Sequence, residues 1–136
     1  MKKAIALLLA LVMVFALCAC GGGGDSAGGD KVVKIGVFEP ASGDSGAGGK
    51  KEMLGMQYAN QETPTVEIGG ETYKVELVYS DNGSDSAKAV SAASKLVNEK
   101  VSLVLGSYGS GVSIAASDTF KQAGIPAIGV TCTNPN

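Results

Sequence analysis

The chain has 136 residues, 45% of them hydrophobic and 18% charged, with a formal net charge of −2 from 11 lysines, no arginine and 13 acids. That is the size of one small globular domain, and the lysines are spread too thinly for the basic stripe that nucleic acid needs. With no His or Trp and only seven Phe and Tyr, Ser/His/Asp and Cys/His nucleophiles, His-containing zinc sites and aromatic platforms for bases are not expected.

Residues 1–19 read as a leader. Met1-Lys2-Lys3 is a positive head, Ala4 to Leu17 is uncharged and mostly apolar, and Cys18-Ala19-Cys20 follows. That run is shorter than the roughly 20 residues of a comfortable bilayer span, so it predicts a signal peptide rather than a permanent transmembrane helix. Leu17-Cys18-Ala19-Cys20 resembles the bacterial lipobox, which implies cleavage after Ala19 and a lipid anchor on Cys20; bulky Leu17 disfavours Cys18. Gly21 to Asp30 holds six Gly in ten residues, so residues 20–31 are expected to form a flexible tether. Beyond the cleavage point nine Lys face 13 acids, a charge of −4 that disfavours anionic lipid head groups as the target. Cys132 is then the one ordinary thiol, and no intrachain disulfide is expected.

From residue 32 strands and helices alternate. Val32 to Phe38 is nearly continuous in β-branched and apolar residues, as in a strand covered on both faces. Gly43 to Gly49 reads as a loop, and Lys50 to Gln61 as a helix with Met53, Leu54, Met56 and Tyr58 on one face. Thr65–Ile68 and Tyr73–Tyr79 form a hairpin around Gly69-Gly70, the second arm being strand two. Ser84 or Asp85 can cap a helix whose apolar stripe is Ala89, Val90, Ala93, Leu96 and Val97. Val101 to Leu105 is strand three. Val112, Ala116, Phe120 and Ala123 share a face of a third helix, stopped by Gly124, and Pro126 to Val130 is strand four. This order predicts an α/β, doubly wound parallel sheet with helices on both faces.

Ligands in such sheets lie outside the carboxyl ends of the strands. The segments Glu39–Gly49, Ser80–Ser84, Gly106–Gly111 and Thr131–Asn136 are therefore where a site is expected. A phosphate loop at Gly43–Lys51 fails on spacing, since five residues separate Gly43 from Gly49-Lys50 and Lys51 replaces the metal-binding hydroxyl. Gly109-Ser110-Gly111 opens the third helix, with Ser110 as a plausible cap and unpaired N–H groups suited to a carboxylate. Thr131-Cys132-Thr133-Asn134 could complete a polar clamp. Cys132 has no His or nearby Lys to activate it, and Asp81 and Asp85 are expected to cap rather than catalyse. No acid, base and nucleophile converge, so neither an enzyme nor a cofactor or metal is expected.

KIGVFEPASGDSG, VYSDNGSDSAKAVSAASKLV and VLGSYGSGVSIAASDTFKQAGIPAIGVTCTNP together resemble the N-terminal lobe of branched-chain amino acid type substrate-binding proteins of ABC transporters. The likeness covers residues 32–136 and implies a periplasmic binding protein type I lobe. It implies that Ser110 and backbone at Thr131 and Thr133 hold an amino acid's carboxylate and ammonium, with Tyr108 and Gly109 lining the pocket. Gly48 stands where many members place an aromatic residue, which implies an open wall and room for something bulkier than valine. Ser84 and Gly109 replace cysteines that some members pair, and the Thr65–Lys74 hairpin departs from the usual connection. The partners implied are a small-molecule ligand, ABC permease subunits and a membrane reached through the lipid anchor, on the extracytoplasmic face. A ligand-sensing module that signals through another protein is the alternative. Family members are about three times as long. The sheet is thus expected to be incomplete at the C-terminus, and this piece alone to bind weakly or not at all.

Overall fold

The structure, a computed structural model, describes residues 31–134. The leader, Cys20 and nearly all of the tether lie outside the described residues.

Eight elements alternate as expected: β1 (Val32–Val37), α1 (Gly46–Glu62), β2 (Thr65–Ile68), β3 (Glu71–Tyr79), α2 (Ser86–Asn98), β4 (Leu103–Leu105), α3 (Ser110–Gln122) and β5 (Ala127–Ile128). They build one five-stranded sheet in the order β2-β3-β1-β4-β5. β1 pairs in parallel with β3 and β4, and β4 with β5, whereas β2 runs antiparallel to β3. The sheet is therefore mixed rather than wholly parallel, because the two-glycine turn at Gly69-Gly70 folds β2 back as an edge strand. The chain passes from β1 through α1 to β2 and β3 on one side of β1, then crosses from β3 by way of α2 to β4 on the other side. This reversal opens a crevice between the loops that follow β1 and β4.

Two helix ends follow from single residues. Asp85 caps α2 by accepting the Ala87 N–H at 2.8 Å, as its side chain predicts. Gly124, at φ 69°, ends α3: its N–H reaches Lys121 O at 3.1 Å and the Ile125 N–H reaches Phe120 O at 3.0 Å. Lys100 makes the same bend after α2 at φ 58°, without being glycine.

The core lies on one face of the sheet, where α2 and α3 pack on Phe38, Val101 and Val104. Ala89, Ala92, Ala93 and Leu96 form the buried stripe of α2; Val90 points outward instead, since the stripe follows Ala92 around the helix. Val112, Ala116 and Phe120 are buried on α3 as expected, with the Phe120 ring edge-on to Phe38 at 5.5 Å, while Ala123 is exposed. The opposite face is thinly covered by α1. A hollow of about 760 Å³ remains there, walled by Val33, Ile35, Val75, Leu77, Leu103 and Met56.

α1 departs most from expectation. It begins at Gly46, four residues before the predicted start, and Gly46 and Gly49 are its buried positions. The reason is steric: a β-carbon on Gly49 would meet Pro40, so the first turn can lie against the β1 loop only without side chains. Leu54 and Tyr58, each 64% exposed, do not face the core. β4 and β5 are shorter than predicted because their outer residues continue into loops.

Candidate functional site

The loops at the strand carboxyl ends are laced together by side chains. Asp81, after β3, accepts N–H groups from Ala41 and Gly83 at 2.8 Å and the Ser42 hydroxyl at 2.7 Å. It caps no helix, contrary to expectation, because these donors lie on the β1 loop and on its own loop rather than on α2. Burial opposes its ionised form, but the donors from Ser42, Gly83 and Ala41 prevail and hold its carboxyl below the ordinary 3.8. Asn82 is buried and donates to Phe38 O at 3.2 Å and Ser107 Oγ at 2.9 Å. Ser84 Oγ accepts the Ser45 N–H at 2.9 Å and donates to Ser42 O.

The loop between β4 and α3 carries Tyr108 and Gly109, and the first turn of α3 carries Ser110 and Gly111 beside them, facing the β1 loop. The Tyr108 N–H donates to Glu39 Oε2 at 2.7 Å. Its ring lies over Gly48, so close that a β-carbon there would come within 2.6–2.9 Å of three ring atoms. The wall at Gly48 is thus not open: Tyr108 fills it from the other loop. The α3 N-cap is Gly109 at φ 120°, with no side-chain cap bond, so Ser110 does not cap as expected. Its hydroxyl is turned instead to the last loop, accepting N–H groups from Thr133 at 3.2 Å and Asn134 at 3.1 Å. With both lone pairs engaged, the hydroxyl hydrogen is left to donate. Ser113 N–H bonds back to Gly109 O at 3.4 Å, leaving the amides of residues 110–112 without an intrahelical acceptor.

Ser110 and Thr133 therefore meet, two positions that the family resemblance implies at the ligand. Thr131 is exposed, two residues before the hooked amide. Cys132 is half-buried, its Sγ 3.1 Å from Ser113 Oγ and 3.4 Å from Ser107 O, packed among neutral groups. Among the described residues no group of three or more His, Cys, Asp or Glu could hold a metal ion. The hollow against the sheet is lined mainly by apolar groups, with Glu52, Asn60 and Ser102 also on its wall. A second hollow of about 600 Å³ joins Ser110, Ser113, Cys132 and Asn134 beside α3.

Reasoning from sequence missed Glu39. It is 1% exposed, and burial pushes its carboxyl from the ordinary 4.5 up to about 8, against the pull of the Tyr108 N–H and with the Glu52 carboxyl adding to the rise. An acid directly after a strand reads as a solvated loop charge. Its one sequence signal is the apolar company of Phe38 and Pro40, both fully buried.

An open-faced α/β lobe with neutral hydrogen-bond donors at its strand ends is the architecture of a solute-binding protein, and the chain belongs to the periplasmic binding protein family, whose model matches residues 32–136. It is similar to Leu/Ile/Val-binding protein homolog 2 of Brucella abortus, 33% identical over 103 residues, or 76% of this chain and 28% of that one. Among solved structures it resembles the leucine-binding protein LivK of Thermotoga maritima, with TM-score 0.70 and 35% identity over 76% of this chain and 29% of that one. It also resembles the branched-chain amino acid transporter substrate-binding protein LivJ of Streptococcus pneumoniae in complex with isoleucine. There the TM-score is 0.69 and the identity 34%, over 78% of this chain and 30% of that one. The chain thus spans less than a third of the length of these proteins.

Proposed function

We propose that this chain supplies the amino-acid-binding lobe of an extracytoplasmic solute receptor that delivers a branched-chain or related amino acid to an ABC permease. On this reading residues 1–19 are a lipoprotein signal peptide, Cys20 carries the lipid and residues 20–31 are the tether. Tyr108, Gly109, Ser110, Gly111, Thr131 and Thr133 meet the ligand. The observation that carries it is the Ser110 hydroxyl, fixed at the start of α3 by two amides with its hydrogen left to donate, beside orphan amides that favour an anion. A carboxylate docked there meets donors from the hydroxyl and the helix start, while the Tyr108 ring offers an apolar wall to a side chain. Relatives of this likeness carry names of amino-acid binding and transport, and one is solved with isoleucine.

The test is amide shift mapping of the full chain titrated with millimolar isoleucine. Perturbation should centre on residues 108–112 and 131–134, and Ser110→Ala should weaken binding by about 1–3 kcal/mol, the cost of one bond to a charged group. Perturbations confined elsewhere, or an unchanged affinity in Ser110→Ala, would refute this site.

A further inference from the structure

Glu39 runs beneath the loop that carries the proposed ligand contacts. Its Oε2 accepts the Tyr108 N–H, and its Oε1 lies so near Gly106 that a β-carbon there would come within 2.6 Å of it. Oε1 itself has no donor, and neither has Oε1 or Oε2 of Glu52, all three being hidden from solvent. Glu52, reaching down from α1, is the carboxyl that Glu39 meets. Buried carboxylates in contact, acceptors only, cannot both stay charged. One proton on Glu39 Oε1 resolves the conflict: it donates to Glu52, and Oε2 stays an acceptor for Tyr108.

The groups facing this pair supply no rival solution. From α1 comes Glu52, which lines the hollow against the sheet together with neutral Asn60; the β4–α3 loop brings Tyr108 and neutral Ser107, and the last loop brings the Cys132 thiol behind them. The β3–α2 loop brings neutral Asn82 and Asp81, which is committed to Ala41, Ser42 and Gly83. Among the described residues the ion pairs are Lys31–Glu71 and Lys34–Glu99, and neither brings a cation to Glu39 or Glu52.

We infer that Glu39 and Glu52 share one buried proton, and that its loss sets two charged carboxylates against each other and shifts Glu39 together with the Tyr108 amide it accepts from, drawing the loop Gly106–Ser110 out of its ligand-binding position. Glu39 is then a positioning residue, acting through the Tyr108 backbone. The link to ligand rests on the function proposed above; the proton and the loop position do not.

The experiment follows the glutamate carboxyl carbons and the Tyr108 amide of the labelled full chain by NMR, from about pH 5 to about pH 10, a range spanning a raised carboxyl. One carboxyl should titrate near pH 8 with the Tyr108 amide moving in step. In Glu39→Gln that transition should vanish and Tyr108 should stay at its low-pH position, because the glutamine oxygen still accepts from Tyr108 and its NH₂ donates to Glu52. Glu52→Gln is the second arm: its amide donates to Glu39, so the high transition should move down, while burial keeps it above the ordinary carboxylate range. Glutamates all titrating in that range in the unmodified chain, or a Tyr108 amide blind to pH, would overturn the inference. Isoleucine affinity should drop about tenfold between the two ends of the range, roughly one hydrogen bond's worth, and stay flat in Glu39→Gln. Equal affinity at both ends despite a Tyr108 transition would break the link to the site. A Tyr108 transition without any isoleucine response would instead sink the ligand reading and support the shared proton.

Discussion

Gly48 and Gly49 are neighbours in the first turn of α1, yet the same substitution should act oppositely at the two positions. In each case alanine brings about 1 kcal/mol of helix propensity. At Gly49 the new β-carbon meets the Pro40 carbonyl oxygen and lies 2.7 Å from Pro40 Cγ and Cδ. Pro40 is fully buried and its ring is closed on the backbone, so relief requires the β1 loop to shift. Overpacking of that kind costs about 1–3 kcal/mol, and more where backbone must move, so Gly49→Ala should lose about 1–2 kcal/mol net. At Gly48 the obstacle is the Tyr108 ring, 39% exposed and free to turn about χ1 for about 1 kcal/mol. Gly48→Ala should therefore be nearly neutral, within about 0.5 kcal/mol. Urea unfolding of the full chain followed by far-UV circular dichroism measures both. Tyr108 ring resonances should move in Gly48→Ala alone. Equal losses at the two sites, or a Gly49→Ala chain more stable than its parent, would refute the packing argument.

Phe120→Ala removes the partner of the edge-on Phe38 ring and should cost about 3–5 kcal/mol in the same unfolding assay. Lys100→Gly relieves a left-handed residue at the end of α2 and should stabilise by roughly 1 kcal/mol, read as a higher urea midpoint with unchanged slope. The folded pKa of Glu39 lies above its unfolded value, so the folded chain binds the proton more tightly. Stability should fall as pH rises from 4.5 to about 8 and level off beyond, a slope absent in Glu39→Gln. Asp81 has the opposite sign: its contribution is present above 3.8 and lost as pH falls through its lower folded value, and Asp81→Asn should flatten that acid limb.

Elements whose ends depend on one side chain were legible in the sequence. Asp85 starts α2 and Gly124 stops α3 because a carboxylate acceptor and a left-handed glycine act over two or three residues. The start of α1 was not legible. Four glycines in seven residues signal a loop, and only the distant Pro40 explains why Gly46 and Gly49 belong inside a helix. For the site, the loops followed from the strand order, while the pairing of Ser110 with Thr133 rested on the family resemblance. The direction of the Ser110 hydroxyl did not, since a serine at a helix start has a local bond on offer and here forgoes it for two remote amides. Glu39 was missed and Gly48 misread for a related reason: each depends on Tyr108, 69 positions from Glu39 and 60 from Gly48.

The lacing of the strand-end loops has a kinetic and thermal consequence. Asp81 alone fixes three positions on two loops, Asn82 ties two others, and Ser84 joins the start of α1 to the end of β3. Loops so fixed have already lost their conformational freedom during folding, so a ligand meets an ordered rim. Amides at positions 41, 45 and 83 should exchange with solvent as slowly as those of the strands they follow.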